Sequence, residues 1–247
     1  MPAVSGVVTI QVMFRNGARL NLVFDADDTL WDSNIHFLEA FEDFASSIVA
    51  MGLESDRDRI KRVMSDVELD LIKTLGYGRR PYVAALHRAA REIAAELHNE
   101  DLTAAVERIG GRLLTRQCEL LPDVADTIRE LAGRNTLILF TKGQRDEQLQ
   151  KLELSGLAPS FSRVETPREK DVEAYHRLIV DAGLKPAHTF MVGNSPRSDI
   201  NPAIRAGFRA AIYVPYPHTW EFEHDEIDPT DPRIVKIETF RSLRQMF

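Results

Sequence analysis

Four short runs of nearly unbroken apolar residues constrain this chain most. They are LNLVF (20–24), TLILF (136–140), HTFMV (188–192) and AAIYV (210–214), with a weaker FSRVE at 161–165. A strand with one wet face alternates apolar and polar residues, whereas a continuous run marks a strand covered on both faces, as in a parallel sheet. Helical segments separate the later runs. Residues 123–134 carry an apolar stripe with acidic residues in the first turn, 170–182 stop at Gly183, and 202–206 stop at Gly207. Strand alternating with helix predicts an α/β fold, a Rossmann-like parallel sheet with right-handed crossovers.

The first and second runs are more than a hundred residues apart, and no strand pattern lies between them. Four amphipathic segments fill the gap, from NIHFLEAFEDF to DLTAAVERIGGRLLTRQ. A crossover needs only one helix. The surplus predicts an inserted all-helical cap at 34–120, on a core made of 19–33 and 121–247. Residues 1–18 contain VVTIQVMF followed by RNGA, half a hairpin by its Asn-Gly pair, and are expected to form a peripheral extension. The closing IVKIETFRSLRQMF reads as a short strand and a helix.

Composition narrows the partners. The formal net charge is −7 and no basic run occurs, which argues against nucleic acid and anionic membranes. No apolar run approaches the ~18–20 residues of a membrane helix. The single cysteine, Cys118, allows no intramolecular disulfide, and the start of the chain lacks a signal-peptide pattern. A cytoplasmic monomer or homodimer acting on a small molecule is expected, with Cys118 as inert packing.

Ligands of open α/β sheets sit beyond the carboxyl ends of the strands, and polar residues gather there. Asp25, Asp27, Asp28 and Thr29 follow the first run. Thr141, Lys142 and Gly143 follow the second, Lys170 precedes a helix, and Gly193, Asn194 and Asp199 follow HTFMV. Asp25 and Asp27 cannot both ionise in a crevice without compensation. A divalent cation and Lys170 would provide it. Oxygen donors, without His or Cys at ligand spacing, suit Mg²⁺.

These motifs, in this order and with a helical insert after the first, resemble the haloacid dehalogenase-like superfamily, most of whose members are Mg²⁺-dependent phosphatases. The resemblance covers about 20–214. It implies Asp25 as nucleophile, Asp27 as general acid and base, Thr141 with the N–H groups of Lys142 and Gly143 as phosphoryl binders, and Lys170 as the neutralising ammonium. It implies Asp25, Asp27 (through its carbonyl), Asn194 and Asp199 around the metal. Dehalogenases of the superfamily lack an acid at the position of Asp27, so phosphoryl transfer is favoured over dehalogenation. Asn194 departs from the usual Asp and implies weaker metal affinity, with Asp199 acting through water or by positioning Lys170. The implied substrate is a small phosphorylated metabolite. A phosphotransferase or mutase acting on sugar phosphates is the enzyme alternative, and a silent binding protein the non-enzyme one.

Candidate substrate contacts are Trp31, His36, Tyr77, Arg79, Arg80 and Tyr82, most of them in LGYGRRPY (75–82). The competing reading of that stretch is a plain turn with solvated arginines, and of Trp31 a staple between core and cap. Asp28 is expected as an exposed turn residue, and the acidic 217–231 segment as a solvated loop.

Overall fold

The computed structural model describes residues 19–95 and 99–247; the hairpin expected at 1–18 lies outside them. Six parallel strands form one sheet: β1 (Asn21–Phe24), β2 (Thr136–Phe140), β3 (Arg163–Glu165), β4 (Thr189–Gly193), β5 (Ala210–Tyr213) and β6 (Ile234–Lys236). Their order is β3-β2-β1-β4-β5-β6. Asn21 of β1 is in register with Thr136 on one side and Thr189 on the other.

The unbroken apolar runs have a simple cause. Along β1, Leu22 and Phe24 point to one face and Val23 to the other, and all three are inaccessible to solvent. The first face is covered by α5 (Val124–Ala132), α6 (Arg145–Leu154) and α9 (Leu243–Met246), through Ile128, Leu152 and Met246 among others. The second is covered by α7 (Val172–Asp181) and α8 (Asn201–Arg205), through Tyr175, Leu178 and Ile204. Each buried Leu or Phe contributes about 1.5–3 kcal/mol, so neither face of these strands tolerates a polar residue cheaply.

Four helices lie between β1 and α5: α1 (Asn34–Ala50), α2 (Arg57–Leu75), α3 (Arg79–Ile93) and α4 (Glu100–Thr115). They enclose an apolar cluster of their own, with Phe44, Ile48, Ile60, Leu86 and Val106 at its centre. The chain passes between sheet and helices twice, and the two passages are paired. Trp31 and Leu120 form an antiparallel bridge. Asp32 N donates to Glu119 O at 3.0 Å, and Leu121 N to Leu30 O at 2.9 Å.

Candidate active site at the strand ends

The strand order reverses between β1 and β4, which leaves a crevice at their carboxyl ends. Asp25 leaves β1 into it. Its Oδ1 accepts from Lys170 Nζ at 2.6 Å, and its Oδ2 from Thr29 Oγ1 at 3.0 Å. Lys170 is 3% exposed; it also donates to Phe140 O at 3.2 Å and pairs with Asp199. Asp171 caps α7 by accepting Ala174 N at 2.8 Å, so the helix start is satisfied by an acid while Lys170 turns inward. Burial pushes the Asp25 carboxyl up, and Lys170 only partly offsets it. Burial by itself would lower the Lys170 ammonium, but Asp199 and Asp25 more than reverse that.

Asp199 is fully buried, and its Oδ2 accepts Ser195 N at 2.9 Å. A Cβ on residue 193 would lie 2.2 Å from that Oδ2. Only glycine lets the strand end approach the carboxylate so closely.

Asp27 has a separate set of partners. Lys151 Nζ lies 2.9 and 3.1 Å from its two oxygens, Gln148 Nε2 donates at 2.8 Å, and Trp31 Nε1 at 2.7 Å. Burial would raise this carboxyl, but Lys151 and the bonds from Gln148 and Trp31 outweigh it and hold it low. Asp28 is buried rather than exposed, with φ +63°. Its Oδ1 accepts the N–H groups of Ser33 and Asn34, both at 2.9 Å, at the start of α1. Burial pushes its carboxyl up to about 7 against those two bonds, and the charge of Asp27 adds to the rise. The cluster of like charges is therefore resolved residue by residue: one carboxyl on Lys170, one on Lys151, and one on two backbone N–H groups, where burial disfavours its charge.

Thr141, Lys142, Gly143 and Asn194 line the same cleft. Gly143 has φ +113°, and a Cβ there would meet Gln148 Nε2 at 2.8 Å. Asn194 Oδ1 accepts from Thr29 Oγ1 at 3.1 Å, while Nδ2 donates to Thr219 Oγ1 at 2.8 Å. The amide oxygen thus shares the Thr29 hydroxyl with Asp25 Oδ2. Lys142 lies 4.3 Å from the centre of the Tyr77 ring, donates to Ser198 Oγ at 3.1 Å and pairs with Glu223.

The helical contacts divide. Tyr77 and Tyr82 line the cleft; Trp31, His36, Arg79 and Arg80 do not. Trp31 is 1% exposed and reaches the site through its bond to Asp27 and through its carbonyl, which accepts Asp28 N at 2.7 Å. Arg79 pairs with Glu147 at 3.5 Å and donates to Cys118 Sγ at 3.0 Å, and Arg80 pairs with Asp146 at 2.8 Å. Both arginines open α3, which faces the acidic first turn of α6, so they pair with Asp146 and with Glu147, a cleft residue, rather than lining the cleft themselves. Asp32, His36 and Cys118 also converge, with ligand atoms within 4.8 Å of one another. The Arg79 guanidinium on Cys118 opposes a second cation there, and burial pushes the thiol up to about 11.

Sequence reasoning missed Lys151 and Gln148. Helix α6 is polar on most of its surface, so no apolar stripe announced it; the available signal was a polar pair at i, i+3 soon after Thr141. It also missed Trp220 and Glu223, which line the cleft from within the acidic segment taken for a solvated loop. A tryptophan inside a charged run was the clue.

A family model for haloacid dehalogenase-like hydrolases matches residues 21–207, and the chain belongs to that family of enzymes. A haloacid dehalogenase-like family hydrolase from Xanthomonas campestris is 29% identical and superposes with a TM-score of 0.76, over 89% of this chain and 90% of that one. N-acylneuraminate-9-phosphatase of Mus musculus is 28% identical over 100 residues. That match spans 38% of this chain and 40% of the mouse protein, less than half of either. The HAD-hydrolase YfnB from Bacillus subtilis, solved with bound magnesium, shares the fold at a TM-score of 0.61 and 19% identity, over 92% of this chain and 97% of that one.

Proposed function

We propose that this hydrolase is a Mg²⁺-dependent phosphatase that cleaves a small soluble phosphomonoester through an aspartyl-phosphate. The observation that carries this is Lys170, whose ammonium joins Asp25 to Asp199 at the floor of a cleft also lined by Thr141 and Asn194. An unshielded carboxylate would repel a phosphate dianion; one neutralised by a buried ammonium can attack it. The likeness to a mouse phosphatase points the same way.

In the first step an Asp25 oxygen bonds to phosphorus, the bond to the leaving oxygen breaks, and Asp27 in its protonated form, the minority one while Lys151, Gln148 and Trp31 hold its carboxyl low, gives that oxygen a proton. In the second, Asp27 takes a proton from water, the water oxygen bonds to phosphorus, and the acyl phosphate opens to Asp25 and inorganic phosphate. Thr141 and the N–H groups of Lys142 and Gly143 hold the non-bridging oxygens, and Lys170, whose own N–H groups go to Asp25, Asp199 and Phe140 O, neutralises the Asp25–phosphate pair. Lys151, Gln148 and Trp31 hold Asp27 in place between the steps. Asp27 also separates this reading from carbon–halogen cleavage, because halide leaves without a proton.

The donor set fits Mg²⁺. Asp25 Oδ2 and Asn194 Oδ1 both lie about the Thr29 hydroxyl, at 3.0 and 3.1 Å from it, and all are hard oxygens. Asp25, the Asp27 carbonyl and Asn194 would hold the ion, which when bound supplies positive charge to the phosphoryl oxygens. Asp199 acts on Lys170 rather than as a direct ligand in this reading. The four helices serve as a cap that selects the leaving group, and the enzyme works in the cytoplasm as a monomer or homodimer. Release of p-nitrophenol from p-nitrophenyl phosphate, stimulated by Mg²⁺ and abolished in Asp25→Asn, is the expected result. Equal hydrolysis by wild type and Asp25→Asn would overturn the mechanism.

A further inference from the structure

The cleft between the strand ends and the helices encloses about 940 Å³, part of it open to solvent. Among the described residues three ammonium groups line it, and each is already paired. Lys170 is held by Asp25 and Asp199, Lys151 by Asp27 and by Glu147 at 3.4 Å, and Lys142 by Glu223. No arginine lines the cleft among the described residues. A second phosphate or a carboxylate on the leaving group would therefore find no unpaired cation. It would instead face the carboxylates of the walls, at the cost that like charges impose in a partly desolvated site.

The helical wall has the opposite character. Phe37, Tyr77 and Tyr82 line it, with Trp220 beside them. Tyr77 and Trp220 meet edge to face, with centroids 6.1 Å apart, as do Phe37 and Tyr82 at 4.9 Å. Among them is one carboxyl, Glu68 of α2. Unlike Asp25, Asp27 and Glu223, it forms no ion pair among the described residues; the charge that acts on it is that of another acid, Glu221, itself paired with Lys61 at 2.9 Å. A half-buried carboxyl without a cation, beside aromatic faces, makes a receptor for a positively charged nitrogen, since ring faces and carboxylate attract it together.

We propose that the substrate is a phosphomonoester whose phosphate is its only anion and whose leaving group presents an ammonium to Glu68 across an aromatic wall. This rests on the phosphatase reading and adds the class of leaving group. The floor takes the phosphate, the aromatic side chains take an apolar or ring-shaped body, and Glu68 sets which end group is accepted.

The test compares three matched aryl phosphates with the full chain and Mg²⁺: tyramine O-phosphate, 4-ethylphenyl phosphate and 3-(4-phosphonooxyphenyl)propanoate. Their kcat/KM should fall in that order, with roughly tenfold or more between the ammonium and carboxylate esters. Glu68→Gln should shrink that ratio, and Glu68→Lys should invert it. Calorimetric titration of tyramine and 3-(4-hydroxyphenyl)propanoate reads the same preference without turnover. No hydrolysis of any ester combined with a Glu68-dependent preference for tyramine would sink the phosphatase reading and keep the receptor. Equal or better use of the carboxylate ester, or a preference for the ammonium ester that survives Glu68→Lys, would overturn the receptor and leave the phosphatase.

Discussion

The floor of the cleft and its helical wall handle charge in opposite ways. On the floor every strong charge has a partner at bonding distance: Lys170 with Asp25 at 2.6 Å, Lys151 with Asp27 at 2.9 Å. On the wall the two arginines that the sequence offered are turned toward α6, and Glu68 lines the cleft without an ion pair among the described residues. The floor is thus arranged to hold one anion in one place, whereas the wall keeps an unmet electrostatic demand. Chemistry needs the first, because transition-state stabilisation requires groups that do not reorganise. Selection needs the second, because a group already satisfied cannot tell one ligand from another.

The floor should break first and hardest. Asp25→Asn removes the nucleophile and is expected to lower phosphate release by at least ~10³-fold, as read by a continuous phosphate assay. Lys170→Met leaves Asp25 and Asp199 buried against each other, so it should cost about 3–5 kcal/mol of stability, seen in urea unfolding, together with a comparable loss of activity. A stable Lys170→Met protein would show that the two carboxylates do not depend on that ammonium.

Lys151→Met tests whether Asp27 needs its clamp. Activity should drop ~10–100-fold, at or below the lower end of the ~10²–10⁴-fold that a general acid–base group contributes, because Asp27 itself remains, with KM for p-nitrophenyl phosphate moving less than kcat. An unchanged kcat would reduce Lys151 to packing. Asn194→Asp adds a charge where the resembling enzymes carry one, and Mg²⁺ titration of activity should show half-saturation at ~10-fold lower metal.

The wall gives the smallest effect and a distinctive pH dependence. Burial, with the Glu221 charge adding to it, pushes the Glu68 carboxyl up to about 7, from an ordinary value of 4.5. The folded protein then holds a proton that the unfolded chain releases, so this residue costs stability as pH rises from 4.5 to 7. Glu68→Gln should match wild type near pH 4 and exceed it in Tm at pH 8, by about 2–4 °C for each kcal/mol of that penalty. A Tm difference that is flat with pH would mean the carboxyl is solvated like any other.

Much of the floor was legible because its motifs are local. Asp25, Asp27 and Thr29 are fixed relative to one another by a single turn, and Gly193 precedes Asn194 wherever the strand goes. That Lys170 meets Asp25 was predictable once both were placed at strand ends, since a parallel sheet brings all such ends to one edge. Asp28 shows where this reasoning fails. Its sequence neighbours suggest an exposed turn, but burial depends on α1 starting directly above it, with Ser33 and Asn34 donating to its carboxylate.

The alternation of continuous apolar runs with helices determined the parallel sheet by itself, because no other arrangement buries both faces of such strands. Polar groups at the ends of those runs determined where a ligand would sit. Which lysine serves which aspartate was decided only by tertiary packing. The reach of Lys151 from α6, the turning of Arg79 and Arg80 into an acidic helix start, and the folding of Trp220 and Glu223 over the cleft all join residues 60 to 160 positions apart. Side-chain pairing at that separation depends on how whole elements dock, and charge partners are chosen by distance in space, which a linear pattern of residue types does not encode.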